Sequence, residues 1–524
     1  MTLIKITPDK VQIKSDDGQL GSMSINSAML ISEDARDISL VCVVSAITKN
    51  ETEDQFDGDG EYMGTDDTST IDCSIIGSLV NGVFAKIVDQ YPTTDVKIKP
   101  VDNALFQRMI SGDISSAFKL GTYSNYDSDA FLDGNKFFQR HSSILGNTGS
   151  GKSFSVASIL EKVSVLKGAN IILFDLHGEY SNLSYVKKIK IGEDGLDFPM
   201  WFLPLRDIYG NLLRIKEESA QTQIAAPRQA FYMARRSEKS EEIPIVFDIE
   251  KLVSTLDSAN NEEVLTGETY KTGDKAGIAK TVKGENNGKL TSVVNLLQDK
   301  LTDRRYDFMT RKHGQDYINF FANAVFSTDE SNIKVIDFSD IPNDMIPTIV
   351  AVTTRLIYRL QLQQQRDDIV PLCLICDEAH VYIPSSDFGL GASQRRMLDV
   401  FETIAKEGRK FGVSLMVVSQ RPSELNRTIM AQCANFIVLK MSNDTDKQMI
   451  KSILPEGSKG TIDSVNLFSP GDCLVIGDSA KITFKIKIDM PAEPPNSDTI
   501  STWDIWKAGG CPKTDELVKN LINN

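Results

Sequence analysis

The chain has 524 residues, of which 41% are hydrophobic and 25% are charged, and its formal net charge is −15. Single hydrophobic cores stop growing near about 250–300 residues, so two or three domains are expected, and the composition excludes the disordered and fibrous classes. The acidic balance excludes a protein whose whole surface attracts nucleic acid, because that binding depends on neutralising phosphates with Lys and Arg, so any DNA contact must be local.

The sequence predicts a cytoplasmic protein without a membrane span. No run of about 18 apolar residues could cross a bilayer, and the first residues lack the layout of a signal peptide. Seven cysteines favour a reducing compartment over a disulfide framework. Cys373 and Cys376 lie in one apolar run, where a strand sends residues three apart to opposite faces, so we interpret them as core residues and not as a metal site.

The first predicted domain, residues 1–133, is rich in β-strands. Short alternating runs, such as Leu40–Ile47, Gly82–Val88 and Val96–Ile98, are separated by turns rich in Asp, Gly and Asn. This pattern is typical of a small β-barrel or sandwich.

From Asn135 onward, apolar runs alternate with amphipathic stretches, which predicts an α/β fold with a mostly parallel sheet covered by helices. The expected strands are Ser143–Leu145, Ile171–Phe174, Val335–Phe338, Leu372–Cys376, Ser414–Val418 and Phe436–Leu439. The predicted ATPase core therefore covers residues 134–213 and 314–480. Residues 214–313 are polar with helical spacing and are assigned to a helical insertion, broken by the loop Thr266–Gly284. Residues 481–524 form a tail that is expected to dock on another surface.

The segment after Ser143–Leu145 matches the phosphate-loop pattern G-x-x-x-x-G-K-[ST] and leads directly into the helical stretch Phe154–Val165. The backbone N–H groups of such a loop surround phosphates, Lys152 reaches the β and γ oxygens, and Ser153 ligates Mg²⁺. The predicted ATP contacts are Gly146, Asn147, Thr148, Gly149, Ser150, Gly151, Lys152 and Ser153.

Two acids follow the strand Leu372–Cys376. Asp377 is predicted to hold the Mg²⁺ shell and Glu378 to act as the general base that activates water. Acids at this place can also cap a helix N-terminus. Together with the phosphate loop, however, the pair favours hydrolysis of ATP over simple nucleotide binding.

Four further positions are candidates from the pattern alone. Asp175 and Glu179, after a strand that should end at the same sheet edge, could sense the metal or the γ-phosphate, and Gln420 could orient the attacking water. Each is equally consistent with a structural turn. Arg409 follows a helix that ends at Gly408, and it either complements the helix C-terminus or enters a neighbour's site as an arginine finger, which requires a ring.

Together, five stretches resemble the HerA family, hexameric DNA-translocating ATPases of the HerA/FtsK group. They are Arg140–Ser153, Asp175–Tyr180, Cys376–His380, Lys406–Gly412 and Ser419–Leu425. The resemblance implies a RecA-like P-loop motor with an N-terminal barrel, a helical insertion, a C-terminal brace that crosses the subunit boundary, and a homo-hexamer. It also implies that Arg409 is the finger acting in trans, and it adds Arg140 as a nucleotide-contacting position.

HerA-like motors commonly work with a separate nuclease, and related rings in bacterial defence pair with nuclease or sirtuin-like, NAD-consuming subunits. The leading hypothesis is therefore a translocase for double-stranded DNA that works with a separately encoded effector, with an antiphage role placed ahead of DNA-end resection. Candidate residues lining its central channel are Arg395, Arg396 and Arg427. The alternatives are a nucleotide-gated ring that assembles and activates an effector, and a conjugation ATPase, which the missing membrane anchor disfavours.

Overall fold

The structure is a computed structural model. It describes residues 1–16, 23–50, 53–56, 62–66, 68–80, 82–93, 95–111, 115–192, 195–215, 221–235, 240, 242–274, 276–386, 390, 392–455, 459–497, 501–510 and 513–523.

The N-terminal part is an antiparallel sheet with the strand order β1-β2-β7-β4-β3-β9, and β8 pairs with β7. Its strands are β1 (Thr2–Ile6), β2 (Lys10–Asp16), β3 (Ala28–Glu33), β4 (Ile38–Lys49), β7 (Thr68–Val80), β8 (Val83–Ala85) and β9 (Lys97–Pro100). The strands β5 (Glu53–Phe56) and β6 (Tyr62–Asp66) form a separate hairpin, and helix α1 (Asn103–Ile110) follows the sheet. The β-rich character is as predicted, but among the described strands the hydrogen-bonded path leaves β1 and β9 as edges, so the expected closure into a barrel is not seen.

Alternation along these strands gives the N-terminal sheet two apolar faces. Met29 and Ile31 belong to a core within this part of the chain. Ala28 and Leu30, which point the other way, belong to a second core that also contains Ile144 of the predicted ATPase core, which is called the motor below. The N-terminal sheet is therefore packed directly on the motor.

The motor is built on an 11-stranded sheet with the order β11-β10-β22-β21-β20-β12-β19-β18-β13-β17-β14. Its strands are β10 (Ala117–Tyr123), β11 (Asp129–Asp133), β12 (His141–Leu145), β13 (Ile171–Asp175), β14 (Lys187–Lys190), β17 (Ile333–Asp337), β18 (Leu372–Cys376), β19 (Val413–Ser419), β20 (Cys433–Leu439), β21 (Asp472–Gly477) and β22 (Lys485–Ile488). The seven strands from β20 to β14 are mutually parallel, and the other end of the sheet is antiparallel. The predicted α/β fold with a mostly parallel sheet is confirmed.

Helices cover both faces of this sheet. They are α2 (Gly134–Phe138), α3 (Lys152–Ser164), α4 (Leu205–Asp207), α5 (Gln221–Arg235), α6 (Ile249–Asn260), α7 (Thr291–Thr302), α8 (Asp307–Thr310), α9 (Tyr317–Phe326), α10 (Ile346–Gln361), α11 (Ala392–Glu407), α12 (Arg427–Gln432) and α13 (Asp444–Ile453). Because strand residues alternate between faces, Cys376 lies in the core on one side and Cys373 in the core on the other.

The predicted boundary at residue 133 is wrong in one respect. Strands β10 and β11 precede it, yet they extend the motor sheet through β22, which itself lies beyond the predicted end of the core at residue 480. Alternation identifies a strand but does not tell which sheet the strand joins, because pairing depends on distant segments.

The insertion is helical over α5, α6 and α7, but the predicted loop Thr266–Gly284 contains an exposed antiparallel hairpin. Its strands are β15 (Glu263–Thr269) and β16 (Ala279–Lys283). A buried ion pair joins the segment before the insertion to the motor: Nη1 of Arg355 in α10 lies 3.1 Å from Oδ2 of Asp207.

The tail continues from β22 into helices α14 (Thr502–Lys507) and α15 (Thr514–Asn523), which carry exposed apolar residues including Trp503 and Trp506. In the part of the chain that the structure describes, no helix combines the length and apolar character that crossing a bilayer requires.

Candidate nucleotide site

The predicted site residues follow strands that are neighbours in the sheet. Strand β12 lies beside β19, and β18 and β13 come next, all in parallel register. Their carboxyl ends share one edge, which is where ligands bind in open α/β sheets. The phosphate loop, the acids Asp377 and Glu378, the loop from Asp175 and the side chain of Gln420 therefore meet at this edge.

Glycines give the phosphate loop its path. Gly149 and Gly151 have φ angles of 72° and 99°, in the left-handed region that side chains disfavour. Gly151 is the N-cap of α3, which begins at Lys152. The free N–H groups and the positive end of the α3 dipole thus face the loop, which is the usual arrangement for binding phosphate.

Close packing fixes the start of the loop. A Cβ at Gly146 would lie 2.6 Å from Oγ of Ser150, too near for a side chain. Lys152 is buried, and its Nζ donates to the carbonyl oxygen of Asn147 at 3.2 Å. The side chain of Lys152 thus lies inside the curve of its own loop and is hydrogen-bonded across it.

Several carboxylates surround Lys152. Burial lowers the pKa of this lysine, and the charges of Glu378, Asp377 and Glu179 oppose the shift. Burial, followed by the charges of Glu378, Glu179 and Asp175, raises the pKa of Asp377 well above its ordinary value. A cation beside Asp377 would restore its ionised form, so the local charge balance favours bound Mg²⁺.

Glu378 stands in an unusual backbone conformation, with φ 44° and ψ 43°. Its Oε2 lies 3.2 Å from Nδ1 of His380, although the contact lacks normal hydrogen-bond geometry. Burial raises the pKa of Glu378, but the His380 contact and the charge of Lys152 outweigh burial and leave the pKa below its ordinary value. The carboxylate is therefore ionised at neutral pH, as a general base must be.

The hydrogen bonds of Asp175 favour a structural role in its own loop over the predicted role as a sensor. Its Oδ1 accepts from the backbone N–H groups of His177, Gly178 and Glu179 at 2.8–3.2 Å. Its Oδ2 accepts from the N–H of Tyr180 at 3.0 Å. Because both oxygens are used in this way, Asp175 shapes the loop that carries Glu179.

Gln420 contacts the phosphate loop directly. Its Oε1 accepts from Oγ1 of Thr148 at 2.5 Å. Sequence reasoning gave no role to His380 or Ser419, although Oγ of Ser419 lies 3.4 Å from Nδ1 of His380. The available signal was the spacing of His380, two residues after Glu378.

The residues at this edge fit Mg-ATP. Oγ of Ser150 and Oε2 of Glu179 are buried without hydrogen-bond partners, which is uncommon for polar atoms outside ligand sites. Lys152 and the start of α3 supply positive charge for phosphates. The hydroxyl of Ser153 and the carboxylate of Asp377 are oxygen ligands of the kind that Mg²⁺ prefers.

The two arginines lie at the opposite edge of the sheet. Arg140 precedes the five residues of β12, about 16 Å of strand, and pairs with Asp478. Arg409 is exposed in the turn before β19. Burial lowers the pKa of His141 at the start of β12, a backbone hydrogen bond opposes this shift, and the nearby charge of Arg409 adds to it. Both arginines therefore lie away from the phosphate loop of their own subunit, and the nucleotide contact expected of Arg140 stays a prediction.

The three candidate DNA contacts lie near helix starts. Arg395 and Arg396 are in the first turns of α11, and Arg427 is the first residue of α12. Nε of Arg395 donates to the carbonyl oxygen of Leu390 at 3.1 Å, so this side chain also supports its own loop.

Comparisons with known proteins show that this chain is similar to helicases of the HerA type. Residues 118–357 match the family model for the central domain of helicase HerA. A probable helicase of Methanocaldococcus jannaschii is 24% identical over 83% of this chain and 79% of its own length. The DNA double-strand break repair helicase HerA of Saccharolobus solfataricus is 29% identical over 67% of this chain and 65% of its own length. Among solved structures, VirB4 of Thermoanaerobacter pseudethanolicus has a TM-score of 0.49 and 16% identity over 72% of this chain and 98% of its own.

Proposed function

This chain belongs to the HerA-type helicase family, and from that membership we propose that it forms a homo-hexamer that uses ATP to move double-stranded DNA through a central channel. The observation that carries the proposal is the convergence of Lys152, Asp377, Glu378 and Gln420 at one sheet edge. Phosphate-binding groups and an ionised base in one crevice are what hydrolysis of a nucleoside triphosphate needs.

In the proposed reaction, the phosphate loop and Lys152 bind the β- and γ-phosphates of ATP. Ser153 and Asp377 would hold Mg²⁺, which neutralises phosphate charge. Glu378 accepts the proton of the attacking water, and Gln420, which contacts the loop through Thr148, orients that water. Electrostatic stabilisation and positioning supply the acceleration.

A ring accounts for the position of the two arginines. If the amino edge of one sheet faces the carboxyl edge of the next, Arg409 enters the neighbouring site as a finger in trans, and Arg140 approaches the same nucleotide. The exposed apolar side chains of α14 and α15, including Trp503 and Trp506, suit a brace that packs on a neighbouring subunit. With a net charge of −15 over the chain, the DNA contacts belong inside the channel, where Arg395, Arg396 and Arg427 are the candidates.

We also propose a separately encoded effector, a nuclease or a sirtuin-like subunit, and a role in antiphage defence. Because the relative from Saccharolobus solfataricus is a DNA double-strand break repair helicase, DNA-end processing is the main alternative role. A ring that gates an effector by its nucleotide state, with little movement along DNA, is the alternative mechanism.

The decisive experiment measures ATPase activity of the full chain with and without linear duplex DNA. We expect stimulation by DNA, and we expect Glu378→Gln to lower kcat at least about 100-fold while the chain still binds a non-hydrolysable ATP analogue. Lys152→Ala should weaken binding of the analogue. Glu330→Gln, at a glutamate whose side chain is 70% exposed outside the site, is the matched control and should behave as wild type.

Two results would count against the proposal. An ATPase rate indifferent to DNA would contradict translocation. Assembly that survives Lys152→Ala, with control of a co-purified effector altered and no DNA movement, would favour the nucleotide-gated scaffold instead. Native mass spectrometry with ATP and DNA gives the subunit number in the same samples.

A further inference from the structure

His380 lies between two segments that end neighbouring strands. Its Nδ1 is 3.2 Å from Oε2 of Glu378, which follows β18, and 3.4 Å from Oγ of Ser419, the last residue of β19. The side chains of His380 and Glu378 are each 15% exposed, so the contact is largely shielded from water. Nδ1 therefore lies close to both oxygens: its contact with Ser419 has hydrogen-bond geometry, and its contact with Glu378 is a close approach of two polar groups.

The turn that carries Glu378 needs such support. Glu378 adopts a left-handed backbone conformation, which costs energy for a residue with a side chain. The hydroxyl of Tyr382 donates to the carbonyl oxygen of Asp377 at 2.8 Å and fixes the backbone of this turn. That bond leaves the Glu378 carboxylate free to rotate, and His380 is the neighbour within reach of its Oε2.

Ser419 links this contact to the phosphate loop. Its Oγ accepts from the N–H of Arg421 at 3.0 Å, which holds the segment around Gln420. Gln420 in turn contacts Thr148 of the phosphate loop. The contacts of His380 with Ser419 and of Gln420 with Thr148, joined by the backbone between Ser419 and Gln420, thus connect the ends of β18, β19 and β12.

We propose that His380 is a positioning residue for ATP hydrolysis: through Nδ1 it holds the Glu378 carboxylate next to the end of β19. Ser419 and Gln420 lie at that strand end, and Gln420 contacts the phosphate loop. This inference rests on the proposed function and deepens it. His380 does not touch the reacting atoms, so its removal should lower kcat and leave binding of ATP intact.

The test uses the geometry of the contact. Asparagine carries its amide close to the position of Nδ1, whereas glutamine reaches toward the position of Nε2. We expect His380→Leu and His380→Gln to lower kcat at least about 10-fold, with KM for ATP within about 2-fold, and His380→Asn to stay within about 3-fold of wild type. Glu330→Gln, at the exposed glutamate outside the site, is the control, and it should keep wild-type kcat within about 2-fold.

Two measurements separate positioning from simple structural support. Thermal unfolding and binding of a fluorescent, non-hydrolysable ATP analogue should match wild type in every variant. Ser419→Ala should lower kcat less than His380→Leu, and adding it to His380→Leu should cause little further loss, because both act through one contact.

The proposal fails if His380→Leu hydrolyses ATP as wild type does, or if asparagine and glutamine at this position perform alike. If His380→Leu does not fold, the asparagine and glutamine variants still decide the question. Failure of the proposed function looks different: wild type and Glu378→Gln would then hydrolyse ATP equally slowly.

Discussion

Lys334 is a lysine with no exposed surface on β17, the strand next to the β14 edge of the motor sheet, and its Nζ donates to Oδ1 of Asn170 at 2.9 Å. Burial, with a smaller effect from the charge of Lys187, lowers its pKa from 10.5 to about 8. The unfolded chain keeps the proton up to the ordinary pKa, so the native state binds fewer protons between these values. The free energy of unfolding should therefore rise with pH across that window.

We expect Lys334→Met, which keeps the volume and removes the charge, to abolish this contribution. Between pH 8 and 9.5 wild type should gain about 1–2 kcal/mol of unfolding free energy relative to the variant. Urea unfolding followed by circular dichroism measures the difference. Lys283→Met, at an exposed residue of β16, is the control and should follow wild type. A Lys334→Met curve parallel to wild type would show that the lysine keeps its ordinary pKa.

At the scale of elements, the segment after β22 is hydrogen-bonded to the loops around the candidate nucleotide site. The N–H of Asn496 donates to the carbonyl oxygen of Glu179 at 2.7 Å, and the N–H of Ser184 donates to Oε2 of Glu493 at 2.6 Å. Both hydrogen bonds of Ser184 hold the Glu493 carboxylate and lower its pKa. This segment therefore joins the tail helices to the loop that carries Glu179.

Glu493→Ala should loosen this segment, since it removes the acceptor for Ser184. We expect cleavage within residues 489–497 by a protease of broad specificity to become several-fold faster, because opening of a segment depends on its few anchoring contacts. Mass spectrometry of the fragments measures the rate. Glu516→Ala in α15 is the matched control, and equal rates in both variants would show that Glu493 does not anchor the tail.

At the scale of the whole molecule, the separation of Arg409 from its own phosphate loop leads to a mixing experiment. If the chain forms the proposed ring, Arg409→Ala and Lys152→Ala should each abolish ATPase activity in uniform rings. Rings mixed from equal amounts of both should regain up to roughly one quarter of wild-type activity, because one interface in four joins an intact site to an intact finger. Native mass spectrometry confirms mixing, and mixed rings without activity would contradict the action in trans.

Local sequence patterns were sufficient to predict much of the motor. A phosphate loop is a continuous segment whose glycines, lysine and serine act through their own backbone and through neighbouring residues. The local sequence therefore predicts the backbone path of Gly146–Ser153. The same holds for strands such as Leu372–Cys376, whose apolar run was predicted with the bounds that the structure shows. The hairpin of β15 and β16 was missed because exposed strands have no buried face to give alternation.

The sequence by itself determined the P-loop, the two acids that follow β18 and the parallel α/β class, because each depends on residues that are adjacent along the chain. Only the tertiary structure decided that β10 and β11 extend the motor sheet and that Asp175 accepts hydrogen bonds from four backbone N–H groups. It also decided that His380 contacts both Glu378 and Ser419. Finally, it placed Arg140 and Arg409 away from the candidate site of their own subunit. Strand order and contacts between distant segments set these positions, and no spacing within a single segment encodes them.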